Sequence, residues 1–440
     1  MDFDETLRLI AAAQGKPDQL ALVTVEIVLN AQPPVDREIL RLALDAAVLP
    51  HWFDAALLAR LLDLDLAPRA GELFTRLCDL PFVERFPARG ETARNVHEAT
   101  RLPWRARLRA EHPERFRELS LRAAAALPEP NDKTALAPHR IEALYHRLVA
   151  TPREEGAAQC EALAREWSRA GRIGERQALA GALGELEQAG FLSGVVRAVA
   201  LMEMTEARWA FQPLEVTARS VETAFNLCEA AGAGRRLSRA LLLRGQLAQG
   251  RGDLGSALRD FEKCLALRRK CAREHPGDLE LESELADSHS YIGDVRLAQG
   301  DLAGARSAFE ATLAISQKLA TQDPANADWQ RDLAVSHSKV GDVRLAQGDL
   351  AGARSAFEAD LAISRELAMQ DPANAGWQAD LAVTLRKLGS LGEQTGDFAT
   401  ARREWNGALG IYRKLTKLDP TNADWRANAA GLRQLLSELP

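Results

Sequence analysis

Few side chains in this 440-residue sequence are placed to do chemistry. Cys264 and Cys271 lie seven residues apart, so a helix would put both on one face, and His289 and His337 lie 48 apart. Neither pair has a third ligand at a spacing that would hold zinc. The two cysteines are better interpreted as small apolar core residues, and the two histidines as packed side chains at one repeat position. No serine stands in a Gly-x-Ser-x-Gly turn. We therefore predict no catalytic site, no metal site and no cofactor, and hence a protein that is not an enzyme.

A phosphate-binding loop is also missing from the sequence. Such a loop combines glycines, whose amides surround the phosphates, with a lysine directly followed by serine or threonine. Lys16 follows a glycine but precedes Pro17, and Lys133 precedes a threonine but follows Asp132. ATP hydrolysis is therefore not expected.

An internal repeat organises the second half of the chain. Residues 293–311 recur without a change at residues 341–359, an offset of 48, and weaker copies around Gly252-Asp253 and Gly396-Asp397 keep this offset. Four units therefore extend from about residue 236 to the end. A fixed period of this size is typical of a solenoid, in which each helix pair covers its apolar face by packing on its neighbours.

The unit itself predicts two facing helices, because its apolar residues recur three and four positions apart. Gly300-Asp301 should end the first helix and cap the second. Asp323-Pro324 should end the second helix, and Asn326 should cap the next one. Small residues at Gly293 and Ala305 should let the two helices approach closely.

The unit resembles the tetratricopeptide repeat, in a variant with long helices, through the spacing of Ile292-Gly293, Gly300, Ala305, Phe309 and Pro324. The likeness covers nearly half of the chain. At one position it departs from the family, because Arg296 and Arg344 stand where an aromatic residue is usual, so the inner seam should be partly polar. The family implies an all-α, helix-pair solenoid that binds a protein or peptide on its concave face.

The candidate binding site lies on that concave face. On the first helix of each pair, the residues one after, three before and six before the repeat glycine share a side that turns away from the inner seam. They are Asp287, Ser290, Asp294, Val335, Ser338, Asp342, Val383, Arg386 and Ser390. Aspartates and hydroxyls favour a basic peptide over an acidic one. Repeats of this family that hold acidic chain ends use lysines and asparagines instead, which argues against a chaperone-tail adaptor.

The N-terminal part predicts helices and one hairpin. A helix from Asp2 should stop before Gly15, and the apolar run 20–29 fits either a helix or a strand. Three helices within residues 37–80 are followed by extended runs at 82–86 and 93–97, and then by helices at 104–111 and 113–126. This order is typical of a winged helix. The domains are therefore expected at 1–35, 36–126 (winged-helix-like), 127–235 (degenerate helical repeats) and 236–440 (the array with a C-terminal capping helix).

Residues 73–84, with 96–98 and 114–120, are similar to the winged-helix segment of bacterial signal-transduction ATPases with numerous domains. In that family a nucleotide-binding module precedes the winged helix and a repeat array follows it. This chain resembles such a protein from the winged helix onward, without the nucleotide-binding module. The resemblance implies a sensor or adaptor in a bacterial signalling or defence system, with a protease or ATPase encoded nearby as a candidate partner.

An arginine cluster in the predicted winged-helix region leaves a second function open. Its candidate contacts to nucleic acid or to a partner are Arg101, Arg105, Arg107, Arg109, Arg115 and Arg117. Such a density of positive charge would suit DNA phosphates, but the sequence favours a solvated helix face or a contact to another domain. The alternative function is thus a DNA-binding transcription regulator whose repeats sense a ligand.

Composition limits the remaining classes. The net charge of −6 gives no global attraction to nucleic acid or to an anionic membrane, and the five cysteines form no Cys-x-x-Cys pair. No segment reads as a secretion signal, and the longest apolar run is too short to span a bilayer. We therefore expect a cytoplasmic protein with no membrane partner.

Overall fold

The structure is a computed structural model that describes residues 3–209 and 211–440. It divides into two compact units, which meet in the sequence between Leu227 and Cys228. Asp2, where the first helix was predicted to begin, lies outside the described residues.

The first unit consists of helices and one small hairpin. Its elements are α1 (Phe3–Ala13), α2 (Pro17–Asn30), α3 (Pro34–Ala47), α4 (Ala55–Leu61), α5 (Ala70–Cys78), β1 (Val83–Arg85), β2 (Arg94–Val96), α6 (Glu98–Glu111), α7 (Pro113–Ala126), α8 (Ala137–Ala150), α9 (Glu154–Arg169), α10 (Ile173–Gln188), α11 (Gly194–Arg208) and most of α12 (Leu214–Ala230). Short 3-10 turns lie at 67–69 and 87–89. The ambiguous run 20–29 is helical.

The predicted order of three helices and a hairpin is present as α3, α4, α5, β1 and β2. The two strands pair antiparallel with Val83 opposite Val96, and Phe53 forms an isolated bridge to Arg94. The predicted start of the next helix at Trp104 is wrong, because α6 begins six residues earlier. There the His97 side chain accepts the Ala99 N–H at 3.3 Å and caps the helix, so that Pro103 lies inside it.

A shared core holds α2 to α7 and the hairpin together. It contains Phe53, Leu73, Val96 and Trp104, all buried. The Trp104 indole donates a hydrogen bond of 2.7 Å to the carboxylate of Asp45, a buried residue in α3. Because burial disfavours the charged carboxylate, the pKa of Asp45 is raised in spite of this bond.

The second unit is a row of helix pairs. The first helices of the pairs are α13 (Gly234–Gly250), α15 (Leu279–Ala298), α17 (Ala327–Ala346) and α19 (Ala375–Gln394), and the second helices are α14 (Leu254–Glu274), α16 (Leu302–Gln322), α18 (Leu350–Gln370) and α20 (Phe398–Leu418). The next helix, α21 (Ala423–Glu438), follows α20. Each helix packs on the next along the chain. The 48-residue period is therefore one helix pair.

The predicted caps are confirmed. Asp301 accepts the Gly304 N–H at 2.9 Å, and Gly300 before it has φ +80°, a backbone conformation that favours glycine. Asn326 accepts the Trp329 N–H at 3.3 Å. Each such cap contributes about 1 kcal/mol to helix stability.

The predicted close approach of the two helices is also confirmed. A Cβ atom added to Gly341 would lie 2.4 Å from Cε1 of Phe357. Gly293 faces Phe309 in the same way, and both rings are fully buried. A side chain at the repeat glycine would therefore occupy the space of the ring that fills the core of each pair.

The helix α21 occupies the position of a first helix and packs on α20. Its buried Ala429 and Leu432 and half-buried Trp425 join the core of α20 around Trp405.

Candidate functional site

The first helices of the array, α13, α15, α17 and α19, together form one surface, which we call the first-helix face. Ion pairs cross this surface from one repeat to the next. Lys339 in α17 binds Asp294 in α15. Lys387 in α19 binds Asp342 in α17 at 2.7 Å. Both pairs join residues that are 45 apart in the sequence. The equivalent position in the next repeat is 48 residues away, so each aspartate pairs with a lysine three residues, or almost one helical turn, before that position.

These pairs correct the sequence interpretation of the two aspartates. Asp294 and Asp342 were expected to favour a basic peptide, but each is already paired with a lysine of the following repeat. Each lysine also lies over an aromatic ring, with 5.6 Å from Lys387 Nζ to the centroid of Phe357. The signal that could have revealed the pairs was present in the sequence, as two Asp…Lys spacings of 45.

A pocket of about 150 Å³ opens between α17 and α19, above α18. Its apolar walls are Val335, Leu367, Trp377 and Val383. Val335 is 40% exposed although it is aliphatic, so this wall is open to solvent. The polar lining consists of Arg331, Ser338, Lys339, Asp360, Ser364, Asp380, Thr384 and Lys387. Three of the nine residues predicted for the concave face, Val335, Ser338 and Val383, therefore line one pocket.

The charges that line this pocket have partners within the protein. Arg331 Nε donates to Asp380 at 2.5 Å, and Lys387 donates to Ser338 at 2.8 Å as well as to Asp342. The pocket thus presents apolar surface inside a rim of already paired charges.

Asp360 forms the polar floor of the pocket. Its carboxylate is almost fully buried and accepts hydrogen bonds from Ser364 at 2.7 Å and from Thr384 at 2.8 Å. Burial raises the pKa of Asp360, and the hydroxyls and Lys387 oppose this shift only in part. In the preceding repeat Thr312 occupies the same position, so this acidic floor is absent there.

The remaining predicted residues lie on the same helices outside the pocket. Asp287 is exposed, and Ser290, Arg386 and Ser390 are half-buried. The backbone carbonyl of Arg386 accepts the Trp405 indole N–H at 3.2 Å. Arg296, which stands where the family usually has an aromatic residue, binds the exposed Glu262 at 3.2 Å.

Most arginines of the predicted cluster have partners within the first unit. Arg107 binds Glu26 at 2.7 Å, Arg109 donates to the carbonyl of Ala189, and Arg115 binds Asp63. Arg101 and Arg105 are buried on Glu185, whereas Arg109 and Arg117 are exposed. Carboxylates elsewhere in the first unit therefore pair with four of the six arginines, which leaves less free positive charge for nucleic acid than the sequence alone suggests.

Sequence reasoning missed a buried network in which His51 joins two helices. The His51 ring lies 2.9 Å from Glu142 in α8 and 2.8 Å from Glu185 in α10. Tyr145 also donates to Glu185, and His146 lies 3.2 Å from Glu142. Glu142 and Glu185 are 91 and 134 residues from His51, so no spacing in the sequence could have connected them.

Neither the cysteines nor the histidines form a chemical centre in the part of the chain that the structure describes. All five cysteines are free thiols, and Cys264 lies 3.6 Å from the hydroxyl of Ser288. Within residues 3–209 and 211–440, no three metal-ligating side chains come together. Burial lowers the pKa of His337, as expected for a packed imidazole.

The helix pairs, the fixed period and the two-stranded hairpin define an all-α helical-repeat protein with tetratricopeptide-like units. No family model matches the sequence, and no curated protein matches it. Among the helices of the described residues, none is long and apolar enough to cross a membrane.

Solved structures with a similar fold include tetratricopeptide repeat proteins. One is a signal-transduction ATPase with numerous domains that carries a tetratricopeptide repeat sensor, from Pyrococcus horikoshii, at 14% identity and a TM-score of 0.42; the match covers 99% of this chain and 70% of that one. A thermophilic tetratricopeptide repeat protein of Thermus thermophilus is 14% identical with a TM-score of 0.33, over 54% of this chain and 99% of that one. BtubC from P. vanneervenii is 17% identical with a TM-score of 0.40, over 58% of this chain and 92% of that one.

Proposed function

We propose that this chain is a non-enzymatic interaction module that binds a segment of another protein on the first-helix face. The observation that carries the proposal is the open pocket between α17 and α19, whose walls are Val335, Val383, Leu367 and Trp377. An apolar side chain of the partner would fill it. Burying a leucine-sized side chain contributes about 1.5–3 kcal/mol, and the remaining affinity would come from contacts along the rest of the first-helix face.

The paired charges around the pocket support binding rather than catalysis. A general base or nucleophile needs a side chain that is free to reach the reacting atoms, whereas Lys387 is paired with Asp342 and Arg331 is paired with Asp380. Because these rim charges already have counter-charges within the protein, a partner does not have to supply them, and a polar rim around an apolar centre is typical of protein interfaces. The rim therefore suits a docking surface.

The biological setting follows from the resemblance found in the sequence. We propose that the chain serves as the sensor or adaptor of a bacterial signalling or defence system in the cytoplasm. A protease or ATPase encoded nearby is the candidate partner, and residues 36–126 are the winged-helix-like domain that would link the array to it.

Selection from a library of random peptides displayed on phage tests the binding proposal. The wild-type protein should enrich peptides with a large apolar residue, and Val335→Asp should abolish this enrichment. Aspartate is tolerated at this repeat position, since Asp287 occupies it in the preceding repeat. Met369→Asp is the matched control, because Met369 is 67% exposed on α18 and lies outside the pocket. Equal enrichment by the wild type and by Val335→Asp would refute the pocket as the binding site.

DNA binding is a weaker second candidate, supported by the hairpin and by the bridge between Phe53 and Arg94, which extends it as in a winged helix. Phosphate contacts would make the affinity fall steeply with salt. We expect the full chain to show no specific, salt-sensitive binding to duplex DNA, because five of the six arginines have partners inside the protein. A steep salt dependence that Arg117→Ala removes would favour the DNA-binding function.

A further inference from the structure

A second ladder of charged pairs crosses the first-helix face, and it joins residues 49 apart. Arg235 in α13 binds Glu284 in α15 at 2.9 Å. Arg331 in α17 binds Asp380 in α19 at 2.5 Å. These two pairs occupy equivalent positions in the repeats, two repeats apart. In both, a guanidinium group of one first helix meets a carboxylate of the next.

The middle pair of this ladder lacks its cation. At the interface between α15 and α17 the carboxylate is present as Asp332, but Ser283 stands where Arg235 and Arg331 stand in the flanking repeats. Asp287 adds another carboxylate beside it, at the position that Val335 and Val383 occupy farther along. Both Asp287 and Asp332 are exposed, and within the described part of the chain neither carboxylate has an ion-pair or hydrogen-bond partner. We call this place the open rung.

The electrostatics agree with an excess of negative charge at the open rung. The surrounding helices desolvate Asp287 and raise its pKa, Arg268 opposes the shift, and Asp332 and Glu284 add to it. The pKa of Asp332 is likewise raised, by desolvation and by Asp328, and Arg331 opposes this shift only in part. Neighbouring carboxylates that form no ion pair repel one another, so a positive group placed between them would be stabilised.

We propose that the open rung binds a lysine or arginine side chain of the same partner segment whose apolar side chain fills the pocket between α17 and α19. The inference rests on the proposed function. The flanking repeats show the geometry, because equivalent residues already hold a guanidinium group between two first helices. The incoming cation takes the place of the arginine that Ser283 replaces.

The spacing of the two subsites sets a pattern for the partner. The pocket and the open rung are one repeat apart, and packed helices lie about 8–10 Å apart. An extended chain advances about 3.3 Å per residue, so about three residues separate the basic and the apolar side chain. The partner is thus an extended segment that carries a basic residue about three positions from a large apolar one.

A first test needs no ligand and measures the thermal stability of the full chain. Ser283→Arg restores the guanidinium group and should raise Tm by about 1–3 °C, the shift expected for one partly exposed ion pair in a unit of this size. Ser283→Gln, which introduces a long but uncharged side chain, should not raise Tm. The gain should vanish when Asp332→Asn is combined with Ser283→Arg. Equal Tm values for Ser283→Arg and Ser283→Gln would contradict the hypothesis that a cation is missing at the open rung.

A second test uses the peptide library with the same variants. Wild-type protein should enrich peptides in which lysine or arginine stands about three residues from a large apolar residue. Ser283→Arg should lose the preference for the basic residue and keep the apolar one, whereas Ser283→Gln should keep both. If Ser283→Arg still enriches peptides with the basic residue, the inference about the open rung is wrong but the proposed function stands. Loss of all enrichment in the wild type overturns the proposed function with it.

Discussion

At the scale of single residues, the charges of the array act between repeats. Asp294 and Asp342 look like ligand-binding groups when one helix is considered alone, because both point away from the inner seam. The next repeat brings Lys339 and Lys387 to them, and each pair contributes to the stacking of neighbouring first helices. Whether a charged residue on a solenoid surface is free to bind a ligand therefore depends on the residue about one period away in the sequence.

Lys387→Met tests this role. The substitution keeps the apolar stem over Phe357 but leaves Asp342 and Ser338 without their cation. Because the pair is only partly exposed, we expect a loss of about 0.5–1.5 kcal/mol, measured as a lower midpoint of urea unfolding. Lys414→Met, at an exposed position on α20, should leave the midpoint unchanged. Equal effects of the two substitutions would contradict the account.

His51 predicts a dependence of stability on pH. Burial alone would lower the pKa of His51, but Glu142 and Glu185 outweigh it and raise the pKa above its ordinary value. A raised pKa means that the folded protein holds the proton more tightly than the unfolded one. The stabilisation is therefore fully present below about pH 6.5 and is lost as pH rises through the folded pKa.

The comparison of wild type with His51→Gln isolates this contribution. The difference in Tm between the two proteins should be largest in mildly acidic buffer and should shrink as the pH rises. His146 would contribute to the pH dependence of stability in the opposite direction. Burial lowers its pKa, so its protonation at low pH destabilises the fold. A difference in Tm that is independent of pH would show that His51 does not bridge the helices as a cation.

At the scale of helices, the glycine of each repeat sets the distance between the two members of a pair. Gly341→Ala would place a methyl group 2.4 Å from the ring of Phe357, and the buried ring cannot move freely. We expect a loss of about 1–3 kcal/mol in unfolding experiments.

Gly410→Ala is the matched control in α20, since nothing lies within 4 Å of its added Cβ. It should be neutral or stabilising, because alanine favours helix more than glycine does. If Gly341→Ala were as stable as Gly410→Ala, the close approach would not determine the packing.

The helices and their caps could be predicted because their causes are local. Apolar periodicity, Gly300, Asp301 and Asn326 act within a few residues of each element. The start of α6 was missed because proline usually marks a helix boundary, whereas the His97 cap moves the start ahead of Pro103. The fold of the array was thus readable from one unit.

The candidate site was only partly readable. Val335, Ser338 and Val383 were found, because they share a helix face with the repeat glycine. Trp377, Leu367 and Asp360 were missed, since they reach the pocket from a different turn or from α18. Their contribution depends on how neighbouring helices pack, which no single-helix pattern contains.

At the scale of the whole molecule, the stability of the array depends on its ends. Deletion of residues 423–440 removes α21 and exposes the apolar side of α20 around Trp405 and Tyr412. We expect the truncated chain to unfold at lower temperature and to aggregate, because a terminal repeat needs a cover. Light scattering during heating measures this, and an equally soluble and stable truncation would show that α21 is not a cap.

The central claim is that a partner segment binds in the pocket between α17 and α19. Calorimetric titration of the most strongly selected peptide into wild-type protein, Val335→Asp and Met369→Asp tests it most directly. We predict affinity about tenfold or more weaker for Val335→Asp, since a charge in the apolar wall costs at least about 1.4 kcal/mol, and unchanged affinity for Met369→Asp. Equal affinities of the wild type and Val335→Asp would contradict the claim.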